Sequence, residues 1–159
     1  MLHPDNELIL TCLEDLFRHR AAFARRFYDT LFELEPEAER YFSGDRCRQE
    51  QMLFAMMTMI LTGLCSGRDL SDDLVTLGRL HARVGIGASF FPIFGTVFVD
   101  TMLGFLPDRR PEPIRWAWQR VWDEISAGMI AGIEAERAER ARRVFFPMPR
   151  PVAVSPRLR

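Results

Sequence analysis

LSDDLVTLGRLHARV, residues 70–84, is the stretch on which the reading turns. Leu70, Leu74, Leu77, His81 and Val84 recur at steps of 4, 3, 4 and 3, the spacing of one face of a helix. Gly85 and Gly87 behind it stop that helix. Four of the five stripe positions are aliphatic and the fifth is an imidazole. A histidine in such a stripe must satisfy two ring nitrogens. Either it is a core residue bonded to a backbone carbonyl, or one nitrogen holds a metal while the other donates to a carbonyl one turn earlier. The chain has two other histidines. His3 lies in the terminal stretch, and His19 stands between Arg18 and Arg20 at a helix end.

No second histidine, cysteine pair or carboxylate cluster joins His81 with the spacing of a zinc site. A metal centre with one protein imidazole points to haem, in which the porphyrin supplies four nitrogens. Haem needs a slot between helices, apolar walls and a polar group opposite. Residues 47–64, predicted as a helix, offer that opposite wall. Gln49 and Leu53 are four apart and share a face, continued by Met56 and Ile60. Tyr28 lies in an apolar stretch where a phenol needs a partner. Met52, Met56, Met57 and Met59 read as core filling, with a thioether ligand the lesser alternative.

The helical pattern continues in both directions, and strand-like alternation is almost absent. A first helix, capped by Asp5 or Asn6, turns Leu8/Ile9, Cys12/Leu13 and Leu16/Phe17 inward. A second runs over 21–34, with Ala24, Phe27/Tyr28 and Leu31/Phe32 facing in. Pro36 restarts the chain into a short turn of helix over 37–42, and Ser43-Gly44-Asp45 is a loop. Pro92 opens a long apolar helix to about Leu106. The last helix begins near Pro113, with Ile114, Trp118, Val121/Trp122, Ile125 and Met129 on one face. The domain is expected over 1–143. Residues 144–159 read as a mobile tail, since Phe145–Arg159 holds four prolines, three arginines and no acid.

Composition bounds the partners. The 159 residues carry 21 Lys+Arg, all of them arginine, against 22 Asp+Glu, so a general nucleic-acid binder is excluded. The absence of lysine removes Schiff-base and P-loop chemistry. Cys12, Cys47 and Cys65 cannot all pair and match no metal motif, which suits a reducing cytoplasm. The longest uncharged runs, 51–67 and 84–99, fall short of the ~20 apolar residues a bilayer span needs. The acidic N-terminus does not read as a signal peptide.

Three segments together resemble the bacterial globins of the flavohaemoglobin and single-domain class. They are AFARRFYDTLFELEPEAERYF at 22–42, LGRLHARVGI at 77–86 and FFPIFGTVFVDTML at 90–103. The resemblance covers about Glu7 to Glu134. It implies an all-α globin fold with a short or absent D helix, binding one haem b. It places His81 as the proximal iron ligand and Tyr28 and Gln49 as polar ligand contacts. Leu53 becomes the apolar distal residue and Phe42 the ring against the porphyrin, with Leu77, Phe91, Phe94 and Val97 also around the cofactor. The interval from Gln49 to His81, 81 − 49 = 32, suits the class better than that from Gln51. In flavohaemoglobins a tyrosine and a glutamate bond around the proximal histidine. Here Phe91 and Ile133 stand at those positions, so the resemblance implies a neutral imidazole donating to the Leu77 carbonyl.

The function this implies is reversible binding of oxygen and other diatomic gases such as nitric oxide. The alternatives are nitric-oxide dioxygenation with a separate flavin reductase, since no flavin or nicotinamide domain is expected in the chain, and gas sensing through a partner.

Overall fold

In the computed structural model, residues 4–42, 44–106 and 111–145 are described. Six α-helices and one 3-10 helix make up the regular structure among them, with no strand. They are α1 (Pro4–Arg18), α2 (Arg20–Leu34), the 3-10 helix Pro36–Phe42, α3 (Arg46–Ser66), α4 (Ser71–Arg83), α5 (Phe90–Leu103) and α6 (Pro111–Phe145).

Local chemistry sets the boundaries. The Asp45 carboxylate accepts from the Cys47 amide at 3.1 Å and caps α3. Gly67, at φ 64°, ends α3 in a left-handed turn closed to the Gly63 carbonyl. The helices over 90–103 and 111–145 both start two residues before the proline the sequence suggested as their opening. Prolines 92, 111 and 113 all fall in first turns, where an amide has no intrahelical acceptor to lose. Val144 and Phe145 complete α6, although the expected boundary fell at 143. The remainder of the expected tail lies outside the described residues.

The core follows the predicted faces. Ile9, Cys12, Leu13 and Leu16 of α1 are wholly buried. An aromatic cluster joins α2, α5 and α6. The Phe98 ring lies 5.3 Å from each of Phe23, Trp118 and Trp122, and Phe27 lies 4.8 Å from Phe94. Val84, the last residue of the predicted α4 stripe, is exposed, because the helix ends at Arg83 and the chain turns away.

The closest helix pair is α4 on α6. A methyl group added at Gly78 would stand 2.1 Å from the Met129 carbonyl oxygen, and one at Gly132 the same distance from that of Val75. Glycine at both positions lets the two backbones touch. The helix that carries His81 is therefore seated directly on α6.

Candidate functional site

Between α3 and α4 lies an apolar cavity of about 420 Å³. Its floor is made by Leu74, Ile125 and Met129, and its walls by Leu53, Met56, Ile60, Leu77 and Phe94. Two polar side chains reach it from opposite elements, Tyr28 of α2 and His81 of α4, and Tyr41 stands at the wall formed by the 3-10 helix.

His81 is oriented by its own helix. Its Nδ1 lies 2.9 Å from the Leu77 carbonyl oxygen, one turn earlier. A carbonyl can only accept, so Nδ1 carries the proton. Nε2 is left with a free lone pair on the residue's cavity side. The Phe91 ring is 6.3 Å from the imidazole and Ile133 is fully buried, so neither brings an oxygen to it. Glu136 is engaged elsewhere. Arg83 Nε reaches its carboxylate at 3.1 Å, while Arg79 and Arg140 stand at 3.6 Å. The hydrogen bond from Arg83 holds the Glu136 carboxyl below the usual glutamate range.

Tyr28 is 4 % exposed and donates its hydroxyl hydrogen to the Gln49 main-chain carbonyl at 3.1 Å. Desolvation raises its pKa well above the ordinary tyrosine value, so the phenol stays protonated and remains a donor. Gln49 therefore meets the tyrosine through its backbone. Its side chain turns the other way. Nε2 donates to the Phe42 carbonyl and, at 3.4 Å, to that of Gly44, tying the end of the 3-10 helix to α3. Oε1 is buried without a partner among the described residues. Gln51, the rival in the sequence, is exposed.

The structure brings His81, Tyr28, Phe42, Leu53, Leu77, Phe91 and Phe94 to one cavity. The Gln49 side chain and Val97 are not among its lining residues, and Val97 packs in the core. Of the methionines, Met57 is core, Met56 and Met59 line the cavity, and Met52 lines its exposed edge. Sequence reasoning missed Tyr41, Ile86, Phe90, Trp122 and Met129 as cavity residues. Trp122 and Met129 were read only as one packing face of the last helix, and which end of a packing face borders a cavity depends on the crossing of α6 with α4.

This donor set fits haem. One imidazole has its outer nitrogen fixed and its inner nitrogen free, set in apolar walls with a neutral phenol across the cavity. Haem binding needs one axial nitrogen and burial of the macrocycle. Among the described residues, no cluster of three metal-ligating side chains offers another kind of centre.

The globin family matches residues 25–129, and the chain belongs to that family. A flavohemoprotein of Rhizobium meliloti (strain 1021) is 26% identical over 129 residues, covering 79% of this chain and 32% of its own length. An anaerobic nitrite reductase of Oryza sativa subsp. japonica is 25% identical, over 77% of this chain and 89% of its own. A neuroglobin of Dissostichus mawsoni is 26% identical, over 80% and 89%. The chain spans about a third of the length of the flavohemoproteins it matches. Among solved structures, the engineered carbene transferase RmaNOD from Rhodothermus marinus superposes with a TM-score of 0.69 at 23% identity. That match covers 89% of this chain and 99% of the other, and it shares the fold. The globins are a haem-binding family whose members interact with gases, and the likeness to flavohemoproteins fits a flavohaemoglobin-like member of it. No helix among the described residues is long and apolar enough to cross a membrane.

Proposed function

We propose that the chain binds haem b on His81 and binds oxygen and other diatomic gases, nitric oxide included, reversibly in the cytoplasm. The observation that carries this reading is the pairing of His81, fixed by the Leu77 carbonyl, with the buried neutral phenol of Tyr28 across one apolar cavity. When bound, haem would supply the iron on which a gas is held. The chain's own residues do the rest. His81 holds the cofactor through Nε2. Leu53, Phe94 and their neighbours exclude water. Tyr28 turns its single proton from the Gln49 carbonyl toward the gas. Because the Gln49 carbonyl gives that proton up, the net gain is the difference between two hydrogen bonds, on the order of 1 kcal/mol. Among the described residues the His81 ring is bonded to the Leu77 carbonyl while the Glu136 carboxylate is bonded to arginines, an arrangement that suits holding a gas better than cleaving it.

Nitric-oxide dioxygenation, with a separate flavin reductase returning the electron, is the second reading. Likeness to flavohemoproteins favours it. One experiment separates the two. The purified, haem-loaded ferrous protein is cycled between oxygen and argon, then given nitric oxide with an external flavin reductase. Reversible spectra without sustained nitric oxide consumption support gas binding. Sustained consumption supports the dioxygenase. A protein that takes up no haem rejects both.

A further inference from the structure

Almost every residue that lines the cavity is apolar. Among the described ones only Tyr28, Tyr41, His81 and the Trp122 indole carry a polar side-chain group, and none is an arginine or an acid. Haem brings two carboxylates on one edge of its macrocycle, and a carboxylate set among apolar side chains without a partner is strongly disfavoured. Tyr28 and Trp122 are each 4 % exposed, so a charge beside either would be stripped of water. His81 faces the iron. Tyr41 is the remaining polar lining residue, and it is partly exposed.

Tyr41 also has a cation behind it. The Arg40 guanidinium lies 4.8 Å from the centre of the Tyr41 ring, and Arg40 Nη2 donates to the Tyr41 hydroxyl at 2.8 Å. That hydroxyl donates in turn to the Gly85 carbonyl at 3.0 Å. The ring stands edge-on to Phe90 with centroids 5.5 Å apart, and a methyl group added at Gly85 would lie 3.5 Å from its Cε1. Packing on both sides therefore fixes the hydroxyl at the cavity's edge. Arg40 Nη1 pairs with Glu37 at 2.8 Å. A guanidinium has five N–H groups, so these two bonds leave donors over.

We infer that Arg40 and Tyr41 anchor a haem carboxylate at this edge of the cavity. The inference rests on the reading that the cavity holds haem. The Tyr41 hydroxyl turns its proton from the neutral Gly85 carbonyl to the carboxylate, which is the stronger acceptor, and Arg40 supplies the counter-charge. Glu37 competes with the haem carboxylate for Arg40. The same contact sets which way the macrocycle enters, with its carboxylate edge toward the 3-10 helix and its apolar edge toward the buried end at Trp122.

The test is the rate at which the ferric, haem-loaded protein loses its cofactor to excess apomyoglobin. Each protein is loaded once with haem and once with haem dimethyl ester, in which both carboxylates are methylated. With haem, Tyr41→Phe should speed loss by roughly 3- to 10-fold. Arg40→Gln, whose guanidinium is largely exposed, should speed it by roughly 2- to 5-fold. Glu37→Gln removes the competing acid and should slow loss by roughly 2-fold. With the ester, all three variants should match the wild type. If Tyr41→Phe does not fold, Arg40→Gln and Glu37→Gln leave the Tyr41–Gly85 bond in place and decide the matter. Equal changes with haem and with the ester overturn the inference, since Tyr41 then serves only to tie the 3-10 helix to the turn after α4. Unchanged rates with haem overturn it as well. A wild-type protein that loads neither haem nor its ester overturns the haem reading itself.

Discussion

Tyr28 has one proton and, in this structure, one acceptor, the Gln49 carbonyl. Its use toward a gas means giving that acceptor up, so the net gain is a difference between two hydrogen bonds in one dry site. Tyr28→Phe should speed oxygen release by roughly 10-fold, equivalent to about 1.4 kcal/mol, and stopped-flow displacement measures it. An unchanged rate would leave the phenol as a structural donor to Gln49. Gln49 itself separates two roles. Its amide ties Phe42 and Gly44 to α3, so Gln49→Leu should lower stability by about 1–3 kcal/mol in denaturant melts. Its effect on oxygen release should be smaller than that of Tyr28→Phe, and a larger one would mean the amide swings into the cavity. The choice of Gln49 over Gln51 was legible only through the family resemblance and its interval to His81; in the structure Gln49 is buried and Gln51 exposed. The direction of the Gln49 amide was not, because it is set by two carbonyls of a turn that no periodicity describes.

Helix α4 shows the same division between what a stripe reveals and what it hides. Leu74, Leu77 and His81 were legible as one face, and they line one cavity. The seat of that helix on α6 was hidden, because it depends on Gly78 meeting the Met129 backbone and on Arg83 meeting a glutamate 53 residues away. Gly78→Ala should therefore be costly for so small a change. The added methyl stands against a backbone oxygen that cannot rotate aside, and overpacking of this kind destabilises by roughly 1–3 kcal/mol. Thermal melting of the haem-free protein checks it, and a wild-type melting temperature would show that the two helices separate freely. Acid tests the ionic part of the seat. Glu136 has its folded pKa held low by Arg83, so its pairing stabilises the fold fully above the unfolded glutamate pKa of about 4.3 and is lost as pH falls through the lower folded value. Wild-type protein should accordingly lose more stability than Glu136→Gln between neutral pH and that acidic range. Parallel losses would mean that solvent already screens the pair.

At the scale of the whole molecule, six α-helices enclose one apolar cavity, and the chemistry is concentrated in two side chains facing each other across it. The all-α architecture was legible because nearly every segment keeps a helical period, and the aromatic faces of α2, α5 and α6 meet as one cluster around Phe98. The cavity's full lining was not, since Trp122, Met129 and Ile86 reach it only through the angles at which helices and turns cross. The fold would persist in any well-packed helical protein, whereas the function depends on whether the free nitrogen of one imidazole holds a cofactor. Substitution of that imidazole is the most direct measurement. Haem is titrated into wild-type protein, His81→Gly, and His81→Gly with added imidazole, and the ferrous absorption spectrum is recorded for each. One haem bound in the wild type, a spectrum altered or lost in His81→Gly, and its recovery with imidazole is the predicted result. A His81→Gly protein that binds haem with an unchanged ferrous spectrum would contradict the account.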